Sequence, residues 1–145
     1  MNAVCLLVAG ALRASIPAQE FTVAWTHSVE KTRWEEHYRI DGARLVLDHA
    51  RVQGSGAGME PGPGARLRDG WWTWRPKLPP LPQLRLTLSP YTRDYDICWA
   101  GRCTALHTLV GTGNDVDVVD VRACRRRLSR RRAGPGAAAG VAPGR

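Results

Sequence analysis

Six side chains of the kinds that build active sites lie within residues 21–40, FTVAWTHSVEKTRWEEHYRI. They are His27, Ser28, Glu30, Glu35, Glu36 and His37. Histidines and carboxylates can act as general bases, and a serine beside a base can act as a nucleophile. His27 and Ser28 are neighbours on a predicted strand, so their side chains point to opposite faces and do not form a catalytic pair. A triad would need another serine that folding brings near His27.

The alternation of apolar residues predicts that this stretch forms two arms of one antiparallel ribbon. On the second arm, Glu36 falls on the same face as Trp34, Tyr38 and Ile40. We therefore expect the Glu36 carboxylate inside the protein, where a charge needs a partner or takes a shifted pKa.

A turn near Lys31-Thr32 would place His27 opposite Glu36 as a cross-strand histidine–carboxylate pair. Such a pair is either a structural dyad or a general base oriented by its partner. We favour the structural dyad, because charge pairs with shifted pKa values are often structural. Glu30 and Glu35 are expected near the turn, facing solvent.

The four cysteines predict two disulfides. In DYDICWAGRCTALH, a tight turn at Ala100-Gly101 places Cys98 opposite Cys103 with Cα atoms about 4.5–5.5 Å apart, which suits a disulfide. Cys5 and Cys124 remain, and they would form a bridge if the first and last strands are neighbours. Two disulfides indicate an oxidising compartment, and four reduced thiols are the alternative. A Cys-x4-Cys spacing without a second close Cys/His pair is a poor zinc site, so we expect no metal.

Short alternating runs broken by turn residues predict an all-β fold for residues 1–124. We expect about eight to ten short strands in a compact antiparallel sandwich or partly closed barrel. Asp41-Gly42 predicts a hairpin turn. The valine pattern of VDVVDV, residues 116–121, predicts either a bulge or burial on both faces. The first apolar run, AVCLLVA, is interpreted as a buried strand rather than the core of a signal peptide, and it is too short to span a membrane.

Two further segments were weighed as binding elements. The residues of WWTW alternate, so Trp72 and Trp74 share one face and Trp71 takes the other. These rings either line a binding surface or fill the core, and the sequence leaves both interpretations open. The glycine-rich segment GSGAG, residues 54–58, lacks the Lys-Ser/Thr that follows in a phosphate-binding loop, so we do not interpret it as one.

The positive charge of the chain is concentrated at its C-terminal end. The formal net charge is +8, but residues 125–145 contain seven arginines and no acidic residue, which leaves 14 basic against 13 acidic residues in 1–124. Residues 125–145 have almost nothing to bury, so we predict a disordered tail. Such a tail is either a solvated appendage or a charge-driven binder of nucleic acid or anionic lipid. We expect no specific nucleic-acid binding by the folded domain.

The ordered set of motifs HSVEKTRWEE, ARVQGSGAGMEP, DGWW and CWAGRC, with a closing cysteine, resembles the bacterial domain-of-unknown-function family 1850 over roughly residues 3–124. The positions that match its motif are His27, Ser28, Val29, Glu30, Lys31, Glu35, Glu36, Gly56 and Gly58. Members are typically small proteins encoded beside TAXI-type TRAP solute transporters. The resemblance therefore implies a role in the cell envelope near an uptake system, and it supplies no catalytic mechanism.

Together these features predict a non-catalytic binding or docking domain that is accessory to a TRAP-type transporter and contacts its components or its solute. A small hydrolase or isomerase using His27 and Glu36 is the alternative, and binding through the tail is a second one. We expect no cofactor and no transmembrane helix. A periplasmic or envelope location is expected, with the cytoplasm as the alternative.

Overall fold

The computed structural model describes residues 1–27, 31–54, 61–111 and 115–125. Within them the chain forms eleven strands and one short helix. In chain order these are β1 (Asn2–Val8), β2 (Ala11–Ile16), β3 (Glu20–Thr26), β4 (Arg33–Asp41), β5 (Arg44–Gln53), β6 (Arg66–Arg68), β7 (Trp71–Trp74), β8 (Leu84–Leu88), β9 (Asp96–Trp99), β10 (Arg102–Ala105), α1 (Leu106–Val110) and β11 (Asp117–Arg125).

The strands form two antiparallel sheets, which confirms the sandwich prediction. The small sheet has the order β2-β1-β11-β8, and the large sheet has the order β10-β9-β3-β4-β5-β7-β6. The strand that the sequence did not predict is β2, an edge strand of the small sheet. Ala11, Leu12 and Arg13 of β2 are exposed, so this strand carries little apolar alternation. The strand that follows the Ala100-Gly101 turn ends at Ala105, because α1 begins at Leu106.

The core lies between the two sheets, where one face of each sheet buries its apolar residues. Val4, Leu6, Val119 and Val121 of the small sheet belong to the same buried cluster as Phe21, Val23, Tyr38 and Ile97 of the large sheet. The rings of Phe21 and Tyr38, directly opposed on β3 and β4, stack with their centroids 5.5 Å apart. The predicted first strand is confirmed, since β1 pairs with both β2 and β11 and contributes fully buried residues.

The valine pattern of β11 has a simpler cause than the predicted bulge or two-sided burial. Val119 and Val121 are completely buried, whereas Val116 and Val118 are 58% and 49% exposed. The pairing of β11 with β1 and with β8 proceeds without a register shift. The prediction is therefore wrong: β11 is a regular central strand that has Val118 on its outer face, and Val116 precedes it.

Both predicted disulfides are confirmed. Cys98 and Cys103 are opposed across the β9–β10 hairpin, with Cα atoms 4.0 Å apart. Its turn residues, Ala100 and Gly101, both have positive φ, as a tight two-residue hairpin requires. Cys5 and Cys124 join the first and last strands across 119 residues, with Cα atoms 5.9 Å apart. The second bridge therefore cross-links β1 and β11, the two central strands of the small sheet.

A β-bulge in β5 shapes the outer face of the large sheet. The β4–β5 hairpin turns at Gly42-Ala43, and its pairing is regular as far as Tyr38 opposite Leu47. His37 then pairs with His49, so Asp48 is the additional residue of the bulge. The bulge moves every later residue of β5 by one position against β4.

Candidate functional site

The predicted pairing of His27 with Glu36 is not formed. Val23 lies opposite Glu36, and His27 lies beyond the end of β3, where its backbone N–H donates to the Thr32 carbonyl oxygen at 2.9 Å. Along the strand, four residues separate Val23 from His27, a distance of about 13 Å. The turn is centred two residues earlier than predicted. Such a shift keeps every side chain on its predicted face, so alternation alone could not distinguish the two registers.

The family-motif positions divide into two groups. Ser28, Val29, Glu30, Gly56 and Gly58 lie outside the described residues. His27 and Lys31 are exposed at the end of the β3–β4 ribbon, and Lys31 has a left-handed φ of 57°. Glu35 and Glu36 lie on opposite faces of β4.

Glu35 is held by two arginines on the outer face of the large sheet. Arg33 Nε donates to Glu35 Oε2 at 2.8 Å, and Arg51 Nε donates to Oε1 at 2.7 Å. Burial alone would raise the pKa of Glu35, but the hydrogen bonds and charges of the two arginines outweigh it and lower the pKa. The Glu35 side chain is 16% exposed, so the prediction that it faces solvent is wrong. The arginines cover it.

Two histidines that the sequence analysis did not select as a pair stack beside Glu35. The rings of His37 and His49 are nearly parallel, with centroids 4.9 Å apart. The two His37 nitrogens lie 2.9 Å from Thr22 Oγ1 and 2.9 Å from Glu20 Oε1. A cavity of about 220 Å³ lies against both rings, Thr22, Glu35 and Arg51. One sequence signal could have found this site: the apolar spacing of β5 lengthens from two to three residues between Leu47 and Ala50, at the bulge.

Asp48 anchors the second histidine. Its Oδ2 atom lies 2.8 Å from His49 Nδ1, and its Oδ1 atom lies 3.5 Å from Arg75 Nη1 and 4.0 Å from Arg39 Nε. The hydrogen bond from His49 is the main cause that lowers the pKa of Asp48, and the charge of Arg75 adds to it. The two arginines therefore offset part of the charge of this carboxylate.

A wider groove of about 650 Å³ continues from His49 over β6 and β7. Its lining includes Arg66, Arg68, Arg75, Thr73 and His49. Arg66 and Arg68 are exposed on the edge strand β6, opposite Thr73 and Trp71. Among the residues that the structure describes, neither arginine forms an ion pair. The groove therefore offers two uncompensated guanidinium groups.

The inner face of β4 has a different chemistry. Tyr38 Oη donates to Glu36 Oε1 at 2.8 Å, and burial raises the pKa of Glu36. The ring of Trp34 stacks on that of Trp25, with centroids 6.1 Å apart. Tyr95 meets Trp25 edge-on at 5.9 Å, and burial together with the charge of Glu36 raises the pKa of Tyr95. An acidic side chain thus lies among aromatic rings without a charged partner in the described part of the chain.

The tryptophans of β7 contribute to both faces. Trp74 meets the ring of Trp34 edge-on at 6.2 Å. On the other face, the Arg51 guanidinium lies 4.0 Å from the centroid of the Trp71 ring. Trp72 is half-buried opposite Val52, and its indole nitrogen is buried without a hydrogen-bond partner in the described part of the chain. None of the three rings is fully exposed or fully buried.

Across residues 1–27, 31–54, 61–111 and 115–125, no three His, Cys, Asp or Glu side chains come close enough together to hold a metal ion. The same residues contain no helix with the length and apolar character needed to cross a membrane.

Comparison with known families decides which family the chain represents. The model of the family described as "Domain of unknown function (DUF1850)" matches residues 21–106, more than half of the chain. The chain belongs to this family. No curated protein and no solved structure matches it. The matched part of the DUF1850 domain includes the large sheet almost completely, with both glutamates, both histidines and the tryptophans of β7, whereas β1, β2 and β11 lie outside it.

Proposed function

We propose that this DUF1850 domain is a non-catalytic binding module that takes the anionic group of a small solute in the groove beside His49, as an accessory to a TRAP-type (TAXI) transporter. The observation that carries the binding role is the pair of arginines on β6, which face a groove of about 650 Å³ and form no ion pair with any described residue. We expect a carboxylate or phosphate group there.

The chemistry of the groove favours an anion over a neutral ligand. Arg66 and Arg68 are two residues apart on one strand, so their guanidinium groups project from the same side of the sheet. Guanidinium forks match the geometry of carboxylate and phosphate groups. Thr73, opposite Arg66, adds a hydroxyl donor. Asp48 adds little repulsion, because the guanidinium groups of Arg75 and Arg39 lie beside it.

The transporter role rests on the resemblance to family 1850, whose members are typically encoded beside TAXI-type TRAP transporters. A module that holds an anionic solute next to an uptake system would present that solute to the transporter or report its presence. The two disulfides support a location in the cell envelope, because disulfides persist in oxidising compartments.

Calorimetric titration of the full chain with succinate and with inorganic phosphate tests the binding role. The variant is Arg66→Gln/Arg68→Gln, and the matched control is Arg44→Gln/Arg93→Gln, which removes two exposed arginines outside the groove. Each lost charged hydrogen bond is worth about 1.5–3 kcal/mol, so we expect the groove variant to bind at least about tenfold more weakly. The control should bind like the wild type. All the proteins keep the arginine-rich tail, so its contribution cancels.

Absence of saturable binding of either anion, or equal weakening in both double variants, would contradict the binding role. The accessory role is tested separately by uptake of anionic solute through the adjacent TRAP transporter in cells lacking this chain. We expect wild type and Arg44→Gln/Arg93→Gln to restore uptake, and Arg66→Gln/Arg68→Gln to fail. Uptake that does not depend on this chain would contradict the accessory role alone.

The structure bears on one of the two alternative functions, the enzyme, but not on binding by the tail. A hydrolase or isomerase using His27 and Glu36 needs these side chains to meet, and the β3–β4 register places Val23 opposite Glu36 instead. Binding of nucleic acid or anionic lipid by the tail stays a prediction, because residues 126–145 lie outside the described residues. Neither alternative gains support from the groove.

A further inference from the structure

The Glu36 carboxylate, on the opposite face of the sheet, takes no part in the anion groove. Its hydrogen bond from Tyr38 is a neutral one, and no arginine, lysine or histidine of the described residues forms an ion pair with it. A partly buried carboxylate without a cation is uncommon, because removal from water disfavours its charged form. Glu36 therefore has the capacity to accept a positive charge from outside the chain.

Aromatic residues share the face of the sheet on which this carboxylate lies. Trp34 precedes Glu36 by two residues on the same face of β4, and Trp25 lies directly opposite Trp34. Tyr95 packs edge-on against Trp25 and is close enough for the charge of Glu36 to raise its pKa. The faces of aromatic rings are electronegative and attract cations, most strongly those of tryptophan.

Hydrogen bonding in this region is also incomplete. The indole nitrogen of Trp72 and the hydroxyl of Thr32 are buried and have no hydrogen-bond partner among the residues that the structure describes. Thr32 precedes Trp34 by two residues, and Trp72 lies opposite Val52, which in turn lies opposite Trp34. Nearly all buried polar atoms in folded proteins have partners, so these two atoms are unusual in this part of the large sheet.

We propose that Glu36 and the rings of Trp25, Trp34 and Tyr95 form a binding site for the ammonium group of a small organic cation. The carboxylate supplies the opposite charge, and the ring faces replace the solvent shell that a methylated ammonium holds only weakly. The charged groups of the two sites are separate, because Glu36 lies on the core-facing side of β4 and the two arginines of the groove lie on β6. Trp74 lines the groove and also meets the ring of Trp34.

Titration of the full chain with choline tests the proposal, with binding followed by calorimetry and by the tryptophan indole N–H signals in NMR spectra. The matched ligand is 3,3-dimethylbutan-1-ol, which has the shape of choline but no charge. We expect saturable choline binding, at least about tenfold tighter than binding of the neutral isostere, because only choline gains from the carboxylate and from the ring quadrupoles.

The matched variants are Glu36→Gln and Glu20→Gln, each of which removes one negative charge. Glu36→Gln keeps the shape of the side chain and an oxygen for Tyr38, so we expect a folded protein that binds choline about tenfold more weakly and the isostere unchanged. Glu20→Gln, exposed on the outer face, should bind choline like the wild type. Equal affinities for choline and the isostere, an unaltered choline affinity in Glu36→Gln, or no saturable choline binding would each overturn the proposal.

The two proposals fail independently of each other. Arg66→Gln/Arg68→Gln removes the anion groove without touching the aromatic site, so its choline affinity should equal that of the wild type. If this double variant lost choline and anion binding together, the two faces would not be separate sites.

Discussion

Glu35 and Glu36 are adjacent in sequence and identical in chemistry, yet the two faces of β4 treat them in opposite ways. On the outer face, Arg33 and Arg51 lower the pKa of Glu35 despite its burial. On the inner face, burial raises the pKa of Glu36, and the hydrogen bond from the Tyr38 hydroxyl offsets only part of this increase. The charge of Glu35 is therefore paired within the chain, whereas the charge of Glu36 has no partner among the described residues.

This difference separates a glutamate whose partners belong to the chain from one that has an unpaired charge. A carboxylate shared by two arginines contributes to the stability of the folded state. A carboxylate among aromatic rings reduces stability when it is ionised, and a protein tolerates such a group most readily where binding compensates for it. The comparison therefore favours a structural role for Glu35 and agrees with the binding role that we propose for Glu36.

The largest expected effect comes from removing the paired carboxylate. Glu35→Ala leaves Arg33 and Arg51 without their shared acceptor, so we expect the free energy of unfolding at pH 7 to fall by about 2 kcal/mol. The pKa of Glu35 is lowered in the folded state, so this contribution is complete above its ordinary pKa and is lost as the pH falls through the folded-state pKa. Urea denaturation from about pH 3 to about pH 7 measures both the loss in the free energy of unfolding and the decrease of that loss in acid.

A deficit in Glu35→Ala that stayed constant at low pH would contradict the ionic origin of its stability. Glu35→Gln serves as the control of shape: it keeps one acceptor oxygen but no charge, and we expect it to fall between the wild type and Glu35→Ala.

The second prediction has the opposite sign. Glu36→Gln removes a carboxylate whose charged form burial disfavours, so we expect the ligand-free protein to become more stable at pH 7, by about 1 kcal/mol. The pKa of Glu36 is raised in the folded state, so the cost of its charge appears as the pH rises through the ordinary and then the folded-state pKa. The difference between variant and wild type should therefore vanish in acid. Thermal and urea denaturation at several pH values measure it.

Loss of stability in Glu36→Gln at pH 7 would break the comparison, because Glu36 would then be a stabilising group like Glu35. Added choline should stabilise the wild type more than Glu36→Gln, since a ligand that binds only the folded state adds to its stability.

The sequence was sufficient to predict which face each glutamate of β4 would occupy relative to the core, because alternation has a period of two. It placed Glu36 with Trp34 and Tyr38, and this arrangement is confirmed. The Cys98–Cys103 bridge was equally accessible, because a two-residue turn fixes its own register. Features set within one hairpin or one strand face were therefore predictable.

Features that depend on the partner strand were not predictable. The loop after β3 admits several registers that preserve the faces, so His27 was paired wrongly with Glu36. The bulge at Asp48 had a larger effect. Without it, the β4–β5 turn would place Ala50 opposite Glu35, and with it Arg51 takes that position. The prediction of a solvent-facing Glu35 failed because the bulge at Asp48 places Arg51 opposite Glu35, where it covers the carboxylate.

The same kind of spacing irregularity had two different origins. In β5 the spacing of three between Leu47 and Ala50 marks a true bulge, whereas in β11 the adjacent Val118 and Val119 simply occupy the two faces of a regular strand. Local sequence does not distinguish these cases, because both interrupt the alternation of apolar residues along a single strand. The register with the neighbouring strand decides between them.

A smaller effect tests how the outer face uses its arginine. Arg51→Lys keeps the positive charge but loses the planar guanidinium that lies 4.0 Å from the centroid of the Trp71 ring and donates to Glu35. We expect a loss of about 0.5–1 kcal/mol in the free energy of unfolding. Arg44→Lys, at the exposed start of β5, is the control and should match the wild type. An equal result for the two variants would show that charge alone holds Glu35.

The smallest expected effect concerns the exposed end of the same network. Glu20 Oε1 lies 2.9 Å from His37 Nε2, but the Glu20 side chain is 65% exposed, so water competes for the carboxylate. Exposed ion pairs typically contribute less than about 1 kcal/mol, and we expect Glu20→Gln to cost no more than about 0.5 kcal/mol in urea denaturation at pH 7. The separation of Glu20 Oε1 from His37 Nε2 is similar to that of Arg51 Nε from Glu35 Oε1, so distance does not explain why we expect a smaller loss of stability for Glu20→Gln. If Glu20→Gln cost as much as Glu35→Ala, burial would not determine which carboxylates stabilise this sheet, and the contrast between the two faces of β4 would lose its physical basis.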